Sequence, residues 1–367
     1  MEEQSYTFSA IKGIQAKREY YAIMCPFKVI PKLFLFNEEE VSPDIRAQRI
    51  LNKARIPEMA RYVLENPTEY CFSAITASVN GDVKFTPSSD KELGDNIGKL
   101  VVGMSSSFII NDGQHRRAAI EEALKVNPEL GNERISVVLF VDRGLKRCQQ
   151  MFADLNKHAV RPSGSIGVLY DHRDPLSELT RKVMLEIYIF NDMIELERTS
   201  ISNRSRKLFT LNSLYNANKA LLGKTKRYVK ITQQEENACI DYWKTIVTMF
   251  KDWKDAKDKK INPSELRRDY VYAHGVVLHA LGIVGHSLLY NYADSWKDKI
   301  KKLKNINWRR SNSVLWEGRA MVGGRMTAAP SNLLLTSSIL KQLLDIELSP
   351  GEAELEKFLN KKMTNVE

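Results

Sequence analysis

The sequence predicts an α+β fold in two parts: an N-terminal α/β domain over residues 1–170, followed by a mainly α-helical, basic domain over residues 171–367. Two patterns carry this reading. Up to about residue 165, short runs rich in β-branched and aromatic residues alternate with helical periodicity. Beyond Asp174 the strand signal fades into long helical segments. Charge makes a third: residues 1–165 hold 22 Lys+Arg against 21 Asp+Glu and residues 166–367 hold 33 against 24, so nearly all of the formal +10 lies in the second part.

Taken in order, Tyr20 to Ile30 reads as a strand. Asp44 to Ala54, apolar at Ile45, Ile50, Leu51 and Ala54, fits a helix. Pro57 opens a second helix that runs to Glu65 and is stopped by Asn66-Pro67. Phe72 to Val79, the turn Asn80-Gly81-Asp82 and Val83 to Thr86 read as a β-hairpin. Ser105 to Asn111 is apolar at Phe108-Ile109-Ile110 and leads into a helix from Gln114 to about Lys125; Arg134 to Val141 is a further strand. Leu145, Cys148, Phe152 and Leu155 then mark an amphipathic helix, with Phe152 and Leu155 expected in the core. In the second part, helices are predicted over Leu176 to Asp192, Thr210 to Leu222, Gln233 to Lys254, Asp269 to Leu289 and Ser331 to Leu344. The breakers Pro162-Ser163-Gly164-Ser165 place a soft boundary at 165–175.

Composition narrows the function classes. With 43% hydrophobic residues in 367, the chain can bury a sizeable core, which excludes intrinsic disorder. Its longest apolar runs, around Val276 and Ile283, stop well short of the roughly 20 residues a membrane span needs. The acidic start Met1-Glu2-Glu3-Gln4 lacks the features of a secretory signal. Cys25, Cys71, Cys148 and Cys239 show no metal-ligand spacing, so a reducing cytoplasm is expected, without a zinc or disulfide framework.

The stretch Asn111-Asp112-Gly113-Gln114-His115-Arg116 puts a glycine between a strand and a helix that opens with polar and basic side chains. First-turn N–H groups without intrahelical partners, together with the helix dipole, welcome an anion there. Gly113 permits close backbone approach, and His115 and Arg116 can add hydrogen bonds to a phosphate. Asp112 either caps the helix or holds Mg²⁺ bridging a nucleotide, which also makes it the candidate catalytic carboxylate. An ordinary capped helix with a surface arginine is the alternative reading of the same residues.

FIINDGQHRRAAIEEAL followed by RISVVLFV resembles the second conserved box of the ParB/sulfiredoxin-like fold, in its DGQHR class. There a turn of this type lies at a nucleotide phosphate. Carried over by position, the resemblance implies a nucleoside triphosphate site formed by Asp112, Gly113, Gln114, His115 and Arg116. Gln114 stands where related turns carry an acid, so that acid's role does not transfer. The segment Met151-Phe152-Ala153-Asp154-Leu155-Asn156-Lys157 is similar to the F-x-D-x-N run of the same class. It offers Asn156 and Asp154 as nucleotide contacts or as organisers of the loop Lys157 to Ser163; for Asn156 a plain helix end serves equally. Together with EYYAIMCPFKVIPKLFLFNEEE and RAQRILNKARIPEMARYVLENPTEYCFSAITASVNGD, these pieces resemble the DndB family of DNA sulfur-modification proteins. That resemblance implies an accessory role in phosphorothioation, with control of the modification genes through promoter DNA and other modification proteins as partners. Related folds also supply the alternative of a nucleotide hydrolase or DNA-nicking enzyme.

Candidate contacts to double-stranded DNA are Arg204, Arg206 and Lys207; Lys226 and Arg227; Arg267 and Arg268; and Arg309 and Arg310. Such side chains supply affinity through phosphates, and solvated helix faces are the alternative for each cluster. The protein is accordingly expected at the nucleoid, with a homo-oligomer among its expected forms. His274, His279 and His286 read as packed polar residues, Cys25 as a core residue within a strand, and Asp171-His172-Arg173-Asp174 as a surface turn.

Overall fold

A computed structural model describes residues 4–34, 53–90, 92, 94–141, 145–157, 162–225 and 229–364. The chain divides into two compact units, Met1–Val160 and Arg161–Glu367, each with its own hydrophobic core. The fold is α+β, as the sequence predicts: a mixed seven-stranded sheet with helices in the first unit, and a helix-rich second unit.

The first unit runs β1 (Ser5–Gln15), β2 (Arg18–Pro26), α1 (Ile30–Leu33), α2 (Ile56–Glu65), β3 (Ile75–Asn80), β4 (Val83–Pro87), β5 (Ile97–Gly103), β6 (Ser107–Asp112), α3 (Gln114–Val126), β7 (Arg134–Val141) and α4 (Leu145–Lys157). The predicted strand from Tyr20 ends at Pro26, where a 3-10 turn and α1 take over with Pro31 in the first helical turn. The helix predicted over Asp44 to Ala54 falls outside the described residues except for its end, which lies in the turn Lys53–Arg55.

Strand order is β4-β5-β1-β2-β7-β3-β6, with β3 and β7 parallel and the other pairs antiparallel. Alternate residues point to one face, as strand geometry requires. Tyr21, Ile23 and Cys25 of β2, Ile75, Ala77 and Val79 of β3, and Ile135, Val137 and Leu139 of β7 are all buried there. Burial pushes the Cys25 thiol up to about 12, which fits a packed core cysteine.

The hairpin expected at Asn80-Gly81-Asp82 does not form. β3 and β4 are two halves of one bent strand, paired along both halves with β6 and β5: Asn80 lies opposite Ser107 and Val83 opposite Val102. At the bend the Gly103 N–H donates to the Asp82 carbonyl at 2.9 Å, and a Cβ on Gly81 would collide with Ser106. The turn residues therefore bend the chain without reversing it. Since β4 and β6 stand at opposite ends of the strand order yet belong to one short ribbon, the sheet must curl round upon itself.

The second unit contains α5 (Gly164–Tyr170), α6 (Pro175–Glu186), β8 (Ile194–Glu195), β9 (Phe209–Thr210), α7 (Leu211–Leu221), α8 (Gln233–Val247), α9 (Lys251–Lys257), α10 (Pro263–Asp269), α11 (Gly275–Asn291), β10 (Met321–Val322), β11 (Arg325–Met326), α12 (Pro330–Leu343) and α13 (Pro350–Thr364), with shorter helical turns between them. One predicted helix is divided, Thr248–Phe250 separating α8 from α9. The helix predicted from Asp269 begins only at Gly275, because Tyr270 bridges to Arg309 and the Val271 N–H donates to the Trp308 carbonyl at 3.0 Å. The α11 helix is buried nearly all round, which suits a central helix. Gly282 lets it touch α7, since a Cβ there would lie 2.2 Å from the Ala217 carbonyl oxygen. Trp243, Trp253 and Trp316 fill the core around it. Among the described residues, no helix is long and apolar enough to cross a membrane.

Candidate functional site

The turn singled out by the sequence joins β6 to α3. Gly113 is the helix N-cap with φ 104° and ψ 15°, a conformation that disfavours any side chain; a Cβ would also lie 3.0 Å from Ile75 Cγ1 and 3.2 Å from the Arg116 guanidinium. The expectation that Asp112 caps α3 is corrected: no side chain caps this helix. Asp112 remains on the strand, and its Oδ2 accepts from Arg116 Nη2 at 2.6 Å. Arg116 thus folds back over the glycine, with Nη1 donating to Ser73 Oγ. Arg117, one residue on, faces elsewhere; its Nε donates to the Phe34 carbonyl at 3.0 Å and it pairs with Glu121.

Around this turn lie polar atoms that burial leaves without a hydrogen-bond partner: Asn111 Oδ1, Gln114 Nε2 and Arg116 Nε. Each such group in an interior costs about 1–3 kcal/mol, so a cluster of them marks a place where a ligand or water completes the network. Asn111 is fully buried, with Nδ2 donating to Ser78 Oγ at 2.8 Å and lying 3.0 Å from Met151 Sδ of α4. His115 is held below the usual imidazole range by burial first and then by the Arg55 and Arg116 charges, with Asp112 pulling the other way. It is therefore neutral near pH 7 and offers a hydrogen bond without a charge.

The structure thus brings Asp112, Gly113, Gln114, His115 and Arg116 together and adds Ser73, Asn111, Arg55 and Met151, which sequence reasoning missed. Asn111 carried a signal, a polar residue ending an apolar strand; Ser73 and Arg55 carried none. Asn156 sits on α4, but its side chain, like that of Phe152, lies outside the described residues. Asp154 is exposed and accepts from Gln150 at 2.7 Å. Leu155, expected in the core, is 42% exposed, because the buried side of α4 runs through Cys148 and Met151 instead.

The basic candidates part company. Arg204, Arg206 and Arg309 are exposed, the last stacked over the Tyr270 ring at 5.3 Å. Lys207 Nζ donates to the Asp192 carbonyl at 2.7 Å, and Arg268 is exposed but paired with Asp269. Lys226 and Arg227 lie outside the described residues. Arg267 is corrected from a DNA contact to a buried organiser: its guanidinium donates to the carbonyls of Ser202, Asn203, Ser205 and Lys207. Arg310 donates to the carbonyls of Arg267, Arg268 and Gly324.

The histidines pack as expected. His274 Nε2 is 2.7 Å from the Arg267 carbonyl, with burial pushing its pKa down to about 4, and His286 Nδ1 is 3.1 Å from the Leu221 carbonyl. Asp174, expected in a surface turn, is buried as the N-cap of α6.

A family model described as DndB, DNA-sulfur modification-associated, matches residues 8–347. The chain belongs to the DndB family. The match takes in the whole sheet from Phe8 onward, the turn at Gly113 and the second unit up to the residues just before α13. Membership assigns this DndB-family protein a role in DNA phosphorothioate modification. No curated protein and no solved structure matches the chain.

Proposed function

We propose that this DndB-family protein is a DNA-binding accessory of phosphorothioation that regulates the modification genes through their promoter, with a nucleoside triphosphate at the Asp112–Arg116 turn. The supporting observation is how charge falls against the two units. Met1–Val160 holds 21 Lys+Arg and 21 Asp+Glu, whereas Arg161–Glu367 holds 34 and 24, so the whole +10 belongs to the helix-rich unit. Arg204, Arg206 and Arg309 present part of it to solvent. Retention on duplex promoter DNA should then fall steeply with salt, with a log–log slope of about −0.9 per phosphate neutralised. The double variant Arg204→Gln, Arg206→Gln should flatten that slope by about one to two units. Retention that is absent, or indifferent to salt, refutes the proposal.

A second reading is favoured by the three unpartnered atoms at the turn and by the half-exposed Asp112 carboxylate beside them. A phosphate chain gripped at Gly113, with Mg²⁺ held by Asp112, would suit nucleotide hydrolysis. This reading expects turnover of ATP, CTP or GTP with Mg²⁺, reduced at least about tenfold by Arg116→Ala. No turnover of any of the three, with or without DNA, leaves binding alone.

A further inference from the structure

The second unit encloses a cavity of about 610 Å³, within the range typical of small-molecule sites. Its wall brings together Arg267 and Arg268 at the end of α10, Arg310, and the start of α11 at His274. No Asp or Glu lines it among the described residues.

The guanidinium groups are unusually placed. Arg267 is 8% exposed, and both Arg267 and Arg310 have backbone carbonyls as their partners. Carbonyl dipoles orient these cations without cancelling their charge. Asp269 pairs with Arg268 and also acts on Arg309 and Arg310. Arg267, desolvated and partnered by carbonyls alone among the described contacts, leaves a positive charge that draws in an anion.

α11 adds to the same field. It spans Gly275–Asn291 and begins at the cavity wall, where His274 and Gly275 lie, and its N-cap His274 makes no side-chain capping bond. α7, by contrast, begins at the same wall with Thr210 capping the Ser213 N–H. Beside the cations the lining is mostly hydroxyl and amide side chains, among them Thr199, Ser200, Asn203 and Ser213, together with the buried Leu208, Phe209 and Ala273.

We propose that this cavity binds a phosphorylated small molecule of nucleotide size, its phosphate facing Arg267, Arg310 and the start of α11 and its remainder facing the polar side chains of Thr199, Ser200 and Asn203. Planar guanidinium forks suit phosphate oxygens, and the volume exceeds what a phosphate group alone would fill. The site is separate from the Gly113 turn and stands whether or not that turn binds nucleotide.

The test is calorimetric titration of the full chain with ATP and with inorganic pyrophosphate. The variants are Ser264→Glu, Arg310→Gln and Arg116→Ala. Ser264 lies on the cavity wall in the first turn of α10, where an added carboxylate is compatible with the helix but hostile to an anion. With the turn disabled by Arg116→Ala, saturable binding is expected to remain, and adding Ser264→Glu or Arg310→Gln to that background should weaken it at least about tenfold. An unchanged thermal midpoint for Ser264→Glu separates lost binding from lost folding. In the Arg116→Ala background, affinity that is insensitive to Ser264→Glu or that is absent below about 1 mM overturns the proposal. Displacement of ATP by a short duplex would assign the phosphate to the DNA backbone, and overturns it equally.

Discussion

Arg267→Ala is expected to lower the stability of the second unit by about 3 kcal/mol or more, with the loop Ser202–Lys207 opening to protease. Four carbonyls of that loop converge on one guanidinium, among them Ser202 at 3.0 Å and Ser205 at 2.9 Å. Truncation strands several acceptors at a buried position, each costing about 1–3 kcal/mol where water cannot reach. Arg267→Lys should recover little, because an ammonium on a flexible stem cannot reproduce a planar fork. Urea unfolding midpoints and cleavage rates within the loop measure both effects. A loss under about 1 kcal/mol with the loop intact would sink this account. Because Arg267 also lines the cavity, its loss is expected to abolish ligand binding there, so Arg267 variants are unsuitable for probing the cavity itself.

The second large effect concerns α13, the final helix. Two buried ion pairs fasten it: Arg319 Nη2 to Glu356 Oε2 at 2.7 Å and Lys341 Nζ to Glu352 Oε1 at 2.6 Å, with all four side chains under 10% exposed. Glu356→Ala leaves the Arg319 charge buried and alone, at a cost of about 3–5 kcal/mol. Replacing both partners, as Arg319→Met with Glu356→Leu, should be close to neutral, since no lone charge remains. Amide exchange across Pro350–Thr364 distinguishes release of this helix from global unfolding. If the double replacement is as damaging as Glu356→Ala, the explanation by charge is wrong.

The same latch carries a pH dependence. Burial pushes the Glu352 carboxyl up, but the hydrogen bonds from Lys341 and Ser349 outweigh it and hold the group below its ordinary 4.5. A lowered folded-state value means the unfolded chain binds the proton more readily. The stabilisation is therefore complete above about pH 4.5 and is lost as pH falls through the lower, folded value.

Legibility in the sequence followed the locality of the cause. β7 and α3 were readable because a continuous apolar run and a helical period after a glycine are local signals. The Gly113 junction was readable for the same reason. The pairing of β3 was not: Asn80-Gly81-Asp82 has hairpin chemistry, and only the extended partner at residues 97–112 decides that the chain bends there. The capping of α3 failed similarly, since Arg116 competes for Asp112 four residues away. Arg267 and Arg268 are indistinguishable as letters. One faces carbonyls brought from about sixty residues earlier and the other faces water, a difference made by tertiary structure alone.

The curled sheet also sets a timetable for the molecule's birth. β1 must wait for β5, and β2 for β7, so these two strands do not both have these neighbours until the chain has been made to Val141. Pairings this distant are slow to form and expose strand edges meanwhile. The Gly113 turn lies between β6 and β7, and β3, whose Ile75 abuts Gly113, pairs with β7, so the surroundings of the turn are incomplete in a nascent or truncated chain lacking β7. Phosphate recognition at that turn would then report that the first unit has been completely synthesised and closed.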